Sequence, residues 1–229
     1  KKKKNTAFTD LSSDFSPQLS ADLDCNGQDI IMDSSNSIQD DSNNEYIKVA
    51  KTGSAVNEFT VTNAATGNAP NLSATGDDTN IDLNLTPKGY GRATFNGQGK
   101  IESVAEKVTT AATAATGTVN YDVLTQAVLN FTTNAAANWT LNIRGDGSNT
   151  LDNIMDTGES ITIAHIVKQG STPYYNSAVQ IDGSSVTPEY QGGSAPTSGN
   201  ASSLDVYSYT IIKTGSATFT VLASQTQFA

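Results

Sequence analysis

VTNAATGNAPNLSATGDDTNIDLNLTPKGYGRATFNG, running from Val61 to Gly97, is made of short β-forming pieces cut by Gly, Asn, Asp and Pro. Within it, Ile81-Asp82-Leu83-Asn84-Leu85-Thr86 alternates apolar and polar residues with period two, and Pro87-Lys88-Gly89-Tyr90-Gly91 ends the run. Such a strand offers one thin apolar face, which suits an architectural role better than a catalytic one.

Working outward, similar runs recur from Ile30 to Phe95: Asp29 to Met32, Glu45 to Ala50, Glu58 to Thr62, Ile81 to Leu85 and Arg92 to Phe95. Turn-rich pieces at Asp33 to Asn36 and Thr66 to Pro70 separate them. Each run carries few large apolar residues, so a single-chain sandwich would be poorly filled. Identical chains gathered around an axis would instead bury Ile31, Ile47, Phe59, Val61, Leu83 and Leu85 against their copies, together with Ile38 and Val49. We expect a β shaft over residues 20–98.

Upstream, Lys1, Lys2, Lys3 and Lys4 form a basic tip, and Asn5 to Ile47 then holds nine acids and no Lys or Arg. This polarity suggests an extended anchor over residues 1–19, with the four lysines and Phe8 docking on an acidic neighbour. Downstream, residues 99–112 read as a linker: Ile101, Val104, Ala105 and Val108 have helical spacing, whereas Thr109 to Thr113 favours a strand.

Residues 113–229 read as a richer β domain, a sandwich or jelly roll able to fold by itself. Its strands are expected at Val119 to Asp122, Ala127 to Thr132, Trp139 to Ile143, Ser160 to Val167, Ala178 to Ile181, Asp205 to Lys213 and Ala217 to Leu222. Ile161 to Val167 is nearly continuous in apolar residues and should be central. The fold class is therefore all-β.

Composition narrows the function. The chain has 229 residues, 36% of them hydrophobic, and a net charge of −10, which opposes binding to a phosphate backbone. The single cysteine, Cys25, excludes an intrachain disulfide. No apolar run approaches the roughly 18 residues of a membrane span.

Catalytic chemistry is sparse. His165, the one histidine, has no Cys or second His to share a metal and no Gly-x-Ser-x-Gly to pair with, and it reads as a core residue. Glycan hydrolysis needs two acids flanking the scissile bond. Asp40-Asp41 and Asp77-Asp78 are adjacent, so on a strand each pair would point to opposite faces, and they read as turn formers. Asp146, Asp152 and Asp156 supply oxygens but miss the calcium-loop spacing, and Arg144-Gly145-Asp146 reads as a turn. We expect no enzyme activity, cofactor or metal. Tyr174, Tyr175 and Tyr190, beside Gly and Pro in loops, are candidate contacts for a sugar ring.

Three segments resemble the fibres and related virion appendages of tailed bacteriophages, especially those of marine bacteria and cyanobacteria. Ser16 to Ile30, SPQLSADLDCNGQDI, is similar to the shaft module TPQLGGDLDxNGxxI; Thr75 to Gly89 and the region from Gln180 to Phe228 carry the rest. The chain departs from the module at Ser20-Ala21, where the family usually has two glycines, and at Cys25, where a polar residue is common. The resemblance implies a trimeric shaft and an N-terminus attached to other virion proteins. It also implies a C-terminal β domain turned toward a host-surface glycan or protein, and a place in the virion. A carbohydrate-binding adhesin module and a capsid decoration protein without a receptor role are the alternatives.

Overall fold

The computed structural model describes residues 27–32 and 36–229. The anchor over 1–19, with Lys1, Lys2, Lys3, Lys4 and Phe8, lies outside the described residues, as do Cys25, the 16–26 part of the shaft module and positions 33–35. The fold is all-β, in two units that divide between Asn84 and Leu85.

The first unit holds two antiparallel hairpins. β1 (Asn36–Gln39) pairs with β2 (Glu45–Val49) across a turn in which Asp40 Oδ1 accepts from the backbone N–H of Ser42 and Asn44. Hydrogen bonds from the Asn44 side chain and backbone hold the Asp40 carboxyl below its ordinary range, so this acid does act as a turn former. β3 (Asn57–Thr62) pairs with β4 (Asn71–Gly76), setting Phe59 opposite Ala74 and Val61 opposite Leu72. Gly76 ends β4 at the open end of this hairpin, where a Cβ would strike the Val56 carbonyl and Asn57.

Three expected strands do not form. Asp29 to Met32, Ile81 to Leu85 and Arg92 to Phe95 lie outside every described sheet. Ile81 to Leu85 and Arg92 to Phe95 alternate as a strand would, but neither they nor Asp29 to Met32 pair with a described strand, and a strand needs a partner for its backbone N–H and C=O groups.

The unit boundary also differs from the expected limits of 98 and 112. The segment after Leu85 belongs to the second unit, where Arg92 donates to Glu159 and Asp156. Within the expected linker no helix forms. Its β-branched end begins β5 (Val108–Ala114) instead, an edge strand of the large sheet.

The second unit continues through β6 (Gly117–Asp122), β7 (Val128–Thr133), β8 (Trp139–Arg144), a one-turn helix α1 (Leu151–Ile154), β9 (Ser160–Lys168) and β10 (Asn176–Ile181). It ends with β11 (Ser184–Val186), β12 (Glu189–Tyr190), β13 (Leu204–Gly215) and β14 (Thr218–Phe228). Six strands lie in the order β12-β14-β13-β9-β7-β5, and four in the order β11-β10-β8-β6. From β5 to β10 the chain alternates between these sheets, so each new strand lies parallel to the one two before it. Gly117 sits beside Trp139 and Trp139 beside Asn176 in the smaller sheet, while Val128 sits beside Ala164 in the larger. The long β13–β14 hairpin then closes the open side of β9, which lies inside the large sheet as its sequence predicts.

Alternation aims one set of side chains from each sheet at a common core. Trp139 from the small sheet meets His165 and Tyr207 from the large one edge-on, with centroids 5.7 and 5.6 Å apart. Asn176 joins the sheets through polar bonds: it accepts from Tyr209 Oη at 2.7 Å, donates from Nδ2 to the carbonyls of Trp139 and Ala178, and donates from its backbone N–H to Tyr207 Oη. Asn176 lies at the register shift of β10, where an unpaired backbone would otherwise be left in the core.

Because Asn176→Ala strands the Tyr209 hydroxyl in the core and leaves the Trp139 carbonyl only the longer bond from the Ser177 hydroxyl, we expect it to cost about 3 kcal/mol in a urea titration. Thr118→Ala, on the exposed side of β6, should fall within about 0.5 kcal/mol of the parent in the same urea titration.

Candidate functional site

The three tyrosines singled out as sugar contacts are half-buried and pack against the core of the second unit. Tyr174 is fixed through its backbone, donating to Gln169 Oε1 and accepting from Gln169 Nε2. The same amide donates to Asp205, whose carboxylate also accepts from the Asn200 N–H. Burial raises the Asp205 pKa, partly offset by the Asn200 and Gln169 bonds. Gly199 is the hinge of this knot: a Cβ there would run into the Tyr174 carbonyl, the Asp205 carboxylate and the Gln169 amide.

Tyr190 lies in β12 at the margin of the large sheet, where burial raises its pKa. It lines a groove with Gln191, Ser194, Pro196, Gln225 and Gln227. Neither Tyr174 nor Tyr175 lines that groove, so the three rings do not make one aromatic platform.

The acids considered for calcium are separately engaged. Asp146 accepts from the N–H groups of Ser148 and Asn149, which with the Asn149 side chain lower its pKa and make the Arg-Gly-Asp triplet a closed turn. Asp152 pairs with Lys213 Nζ at 2.7 Å, and Asp156 pairs with Arg92 at 2.8 Å. Among the described residues no group of three or more His, Cys, Asp or Glu is placed to hold a metal, and no helix is long and apolar enough to cross a membrane.

Sequence reasoning missed one arrangement. Tyr90, Gly91 and Arg92 line an open pocket of about 470 Å³ together with Leu124, Met155 and Ile161. Arg92, forked between Asp156 and Glu159, holds this segment against it. The signal for it was thin: one arginine in an otherwise apolar and glycine-rich stretch.

Comparison with protein-family models, with curated proteins and with solved structures finds no match.

The largest feature without an internal explanation is therefore the apolar surface of the first unit and the segment after it. Ile31 is 93% exposed, Val61 79% and Phe59 60%, with Phe95 and Ile101 similarly open. Each hairpin is a single two-stranded layer, and a lone two-stranded ribbon is marginal in water. Of these, Ile31, Phe59 and Val61 are residues expected to face copies of the chain; Phe95, Ile101, Tyr46, Leu72 and Val104 are further exposed apolar residues that were not expected to.

His165 is fully buried, with Nδ1 facing the Leu129 carbonyl at 3.4 Å and Phe131 and Trp139 edge-on around its ring. A carbonyl can only accept, so Nδ1 carries the proton. Nε2 and Trp139 Nε1 have no protein partner. Burial depresses the His165 pKa from 6.5 to about 4, with the Leu129 bond opposing it. The neutral ring is thus favoured in the folded state, and the stability it contributes is present above pH 6.5 and lost as pH falls toward 4. We expect a loss of about 3 kcal/mol over that window, read from urea titrations, and a much shallower fall in His165→Leu. Arg92→Ala should leave melting nearly unchanged while limited proteolysis at Lys88 and Lys100 quickens, because it removes only the exposed pin on this segment.

Proposed function

We propose that the chain is a structural, non-enzymatic fibre protein of a tailed-bacteriophage virion, a tail, neck or head fibre. It attaches to other virion proteins by its N-terminal segment and presents its C-terminal β domain to the host surface. The observation that carries this reading is the unequal way the two units handle apolar side chains. The second unit buries Trp139, Tyr121, Leu141, Ile143 and Ile211 almost completely within one chain. The first leaves Phe59, Val61 and Ile31 in water. A subunit of a multi-chain shaft has that character, because its apolar residues are covered by copies, while the domain it displays must hold together alone. The resemblance of Ser16 to Ile30 and of Thr75 to Gly89 to phage shaft modules points the same way.

The alternating run Ile81 to Leu85 then finds its partner in another chain, as a strand without an edge of its own would. A catalytic role draws no support from Asp40, Asp146, Asp152 and Asp156, which are bonded in turns and ion pairs. The test is the mass of the full chain by size-exclusion with light scattering at micromolar concentration. We expect three times the chain mass, and a lower average for Val61→Asp, which places a charge on the exposed stripe. A stable monomer across that range would overturn the fibre reading.

A further inference from the structure

Two Asn-Gly steps occur in the sequence, Asn26-Gly27 and Asn96-Gly97, and the second lies wholly within the described residues. A step of this kind carries its own electrophile and nucleophile: the side-chain amide carbon and the backbone nitrogen of the next residue. Folding ordinarily keeps the two apart, because a bonded backbone nitrogen is not free to attack and a bonded side chain cannot swing onto it. Comparable steps elsewhere in the chain have that protection. Asp182-Gly183, at the tip of the β10–β11 hairpin, has both carboxylate oxygens accepting from the N–H groups of Leu151 and Asp152, and the Gly183 nitrogen donates to Asn142 Oδ1 at 2.8 Å. Asp146-Gly147 has its carboxylate fastened to the N–H groups of Ser148 and Asn149. Asn176, before Ser177, is buried with its side chain spent on three bonds.

Asn96-Gly97 has none of this. Both residues are exposed, in an irregular piece outside every described sheet. Among the described residues the Asn96 side chain meets no hydrogen-bond partner, and the Gly97 nitrogen donates to no backbone carbonyl. No atom beyond the chain neighbours lies within 4 Å of where a Cβ on Gly97 would stand, so the approach is open. Glycine here lets the backbone turn its nitrogen toward the amide carbon without a side chain in the way. The Arg92 fork anchors the piece only upstream of this step, and the next strand begins at Val108.

We propose that Asn96 is a self-modifying site, converted through a cyclic imide to aspartate and isoaspartate without an enzyme. The Gly97 nitrogen gives up its proton to water and bonds to Cγ of Asn96, and the Cγ–Nδ2 bond breaks to release ammonia. Water then opens the imide. Attack at the former side-chain carbonyl gives aspartate; attack at the backbone carbonyl gives isoaspartate, with the chain now running through Cγ. The balance is one water consumed and one ammonia released, with no oxidant or reductant. Either product adds a negative charge to a chain whose net charge is −10, beside Phe95, which is 72% exposed. Copies of different age then differ in charge at one fixed place. This chemistry is independent of the fibre reading.

The test incubates the full chain at mildly alkaline pH in heavy-oxygen water and then digests it with trypsin in ordinary water. Cleavage after Arg92 and Lys100 frees residues 93–100. Mass spectrometry follows the fraction that has lost ammonia and gained a heavy oxygen, and chromatography separates the aspartate and isoaspartate forms. A synthetic peptide of residues 93–100 ages alongside. We expect Asn96 in the full chain to convert within about threefold of the peptide's rate, giving both products. Full-length Gly97→Ala, whose added methyl group meets nothing, should convert about tenfold more slowly. A rate in the full chain about tenfold or more below that of the peptide, or an unchanged rate in Gly97→Ala, overturns the proposal.

Discussion

The second unit depends on one requirement: two sheets built by alternate strands must be locked to each other from the inside. Winding from β5 to β10 sends the chain across the core after every strand, so no hairpin fixes the sheets relative to one another until late in the sequence. The locking falls to Asn176 and the rings around it. Asn176 sits where β10 slips register, ties Tyr209 and Tyr207 of the large sheet to Trp139 of the small one, and satisfies backbone groups that the slip would leave bare. Trp139, His165 and Tyr207 fill the space beside it with edge-on contacts, which are directional as well as apolar. His165 belongs to this lock, which makes it a core residue whose neutral form the fold requires.

Seen from that interior, the acids and lysines are fittings. Lys213 donates to the carbonyls of Asp152 and Met155 and pairs with the Asp152 carboxylate, so it ties the α1 turn to β13. Asp182, with φ of 51°, accepts from the N–H groups of Leu151 and Asp152 and holds the same turn from the other side. Asp205 and Gln169 secure the loop carrying Gly199. These groups look reactive in a sequence and are spent on loops in the structure.

Much of this was legible in the amino acids, for identifiable reasons. β6, β8, β10 and β13 announce themselves by alternation of large apolar residues and β9 by its nearly continuous apolar run, and the core positions of Trp139, Leu141 and Tyr209 follow from period two. β4 was not legible, since Asn71 to Gly76 holds one large apolar residue and pairs only because Leu72 and Ala74 face Val61 and Phe59. Ile81 to Leu85 fails in the opposite sense: period two describes where side chains point, and says nothing about whether an edge is at hand. The parallel winding was also hidden, because a strand's sequence does not name its neighbour. Tyr174 and Tyr190 were read as loop aromatics from the adjacent Gly and Pro, but their rings are drawn toward the core by the Gln169 knot and by β14.

The late position of β13 and β14 bears on the order in which the molecule is made. β9 lies between β7 and β13, and nothing but β13 covers its second edge. During synthesis that edge stays open until residues beyond 204 have left the ribosome, so β5, β7 and β9 wait as an unfinished half-sheet. The hairpins of the first unit, made of near neighbours, are complete long before then. Nascent chains therefore have both strands of each first-unit hairpin available while the large sheet of the second unit is still unclosed.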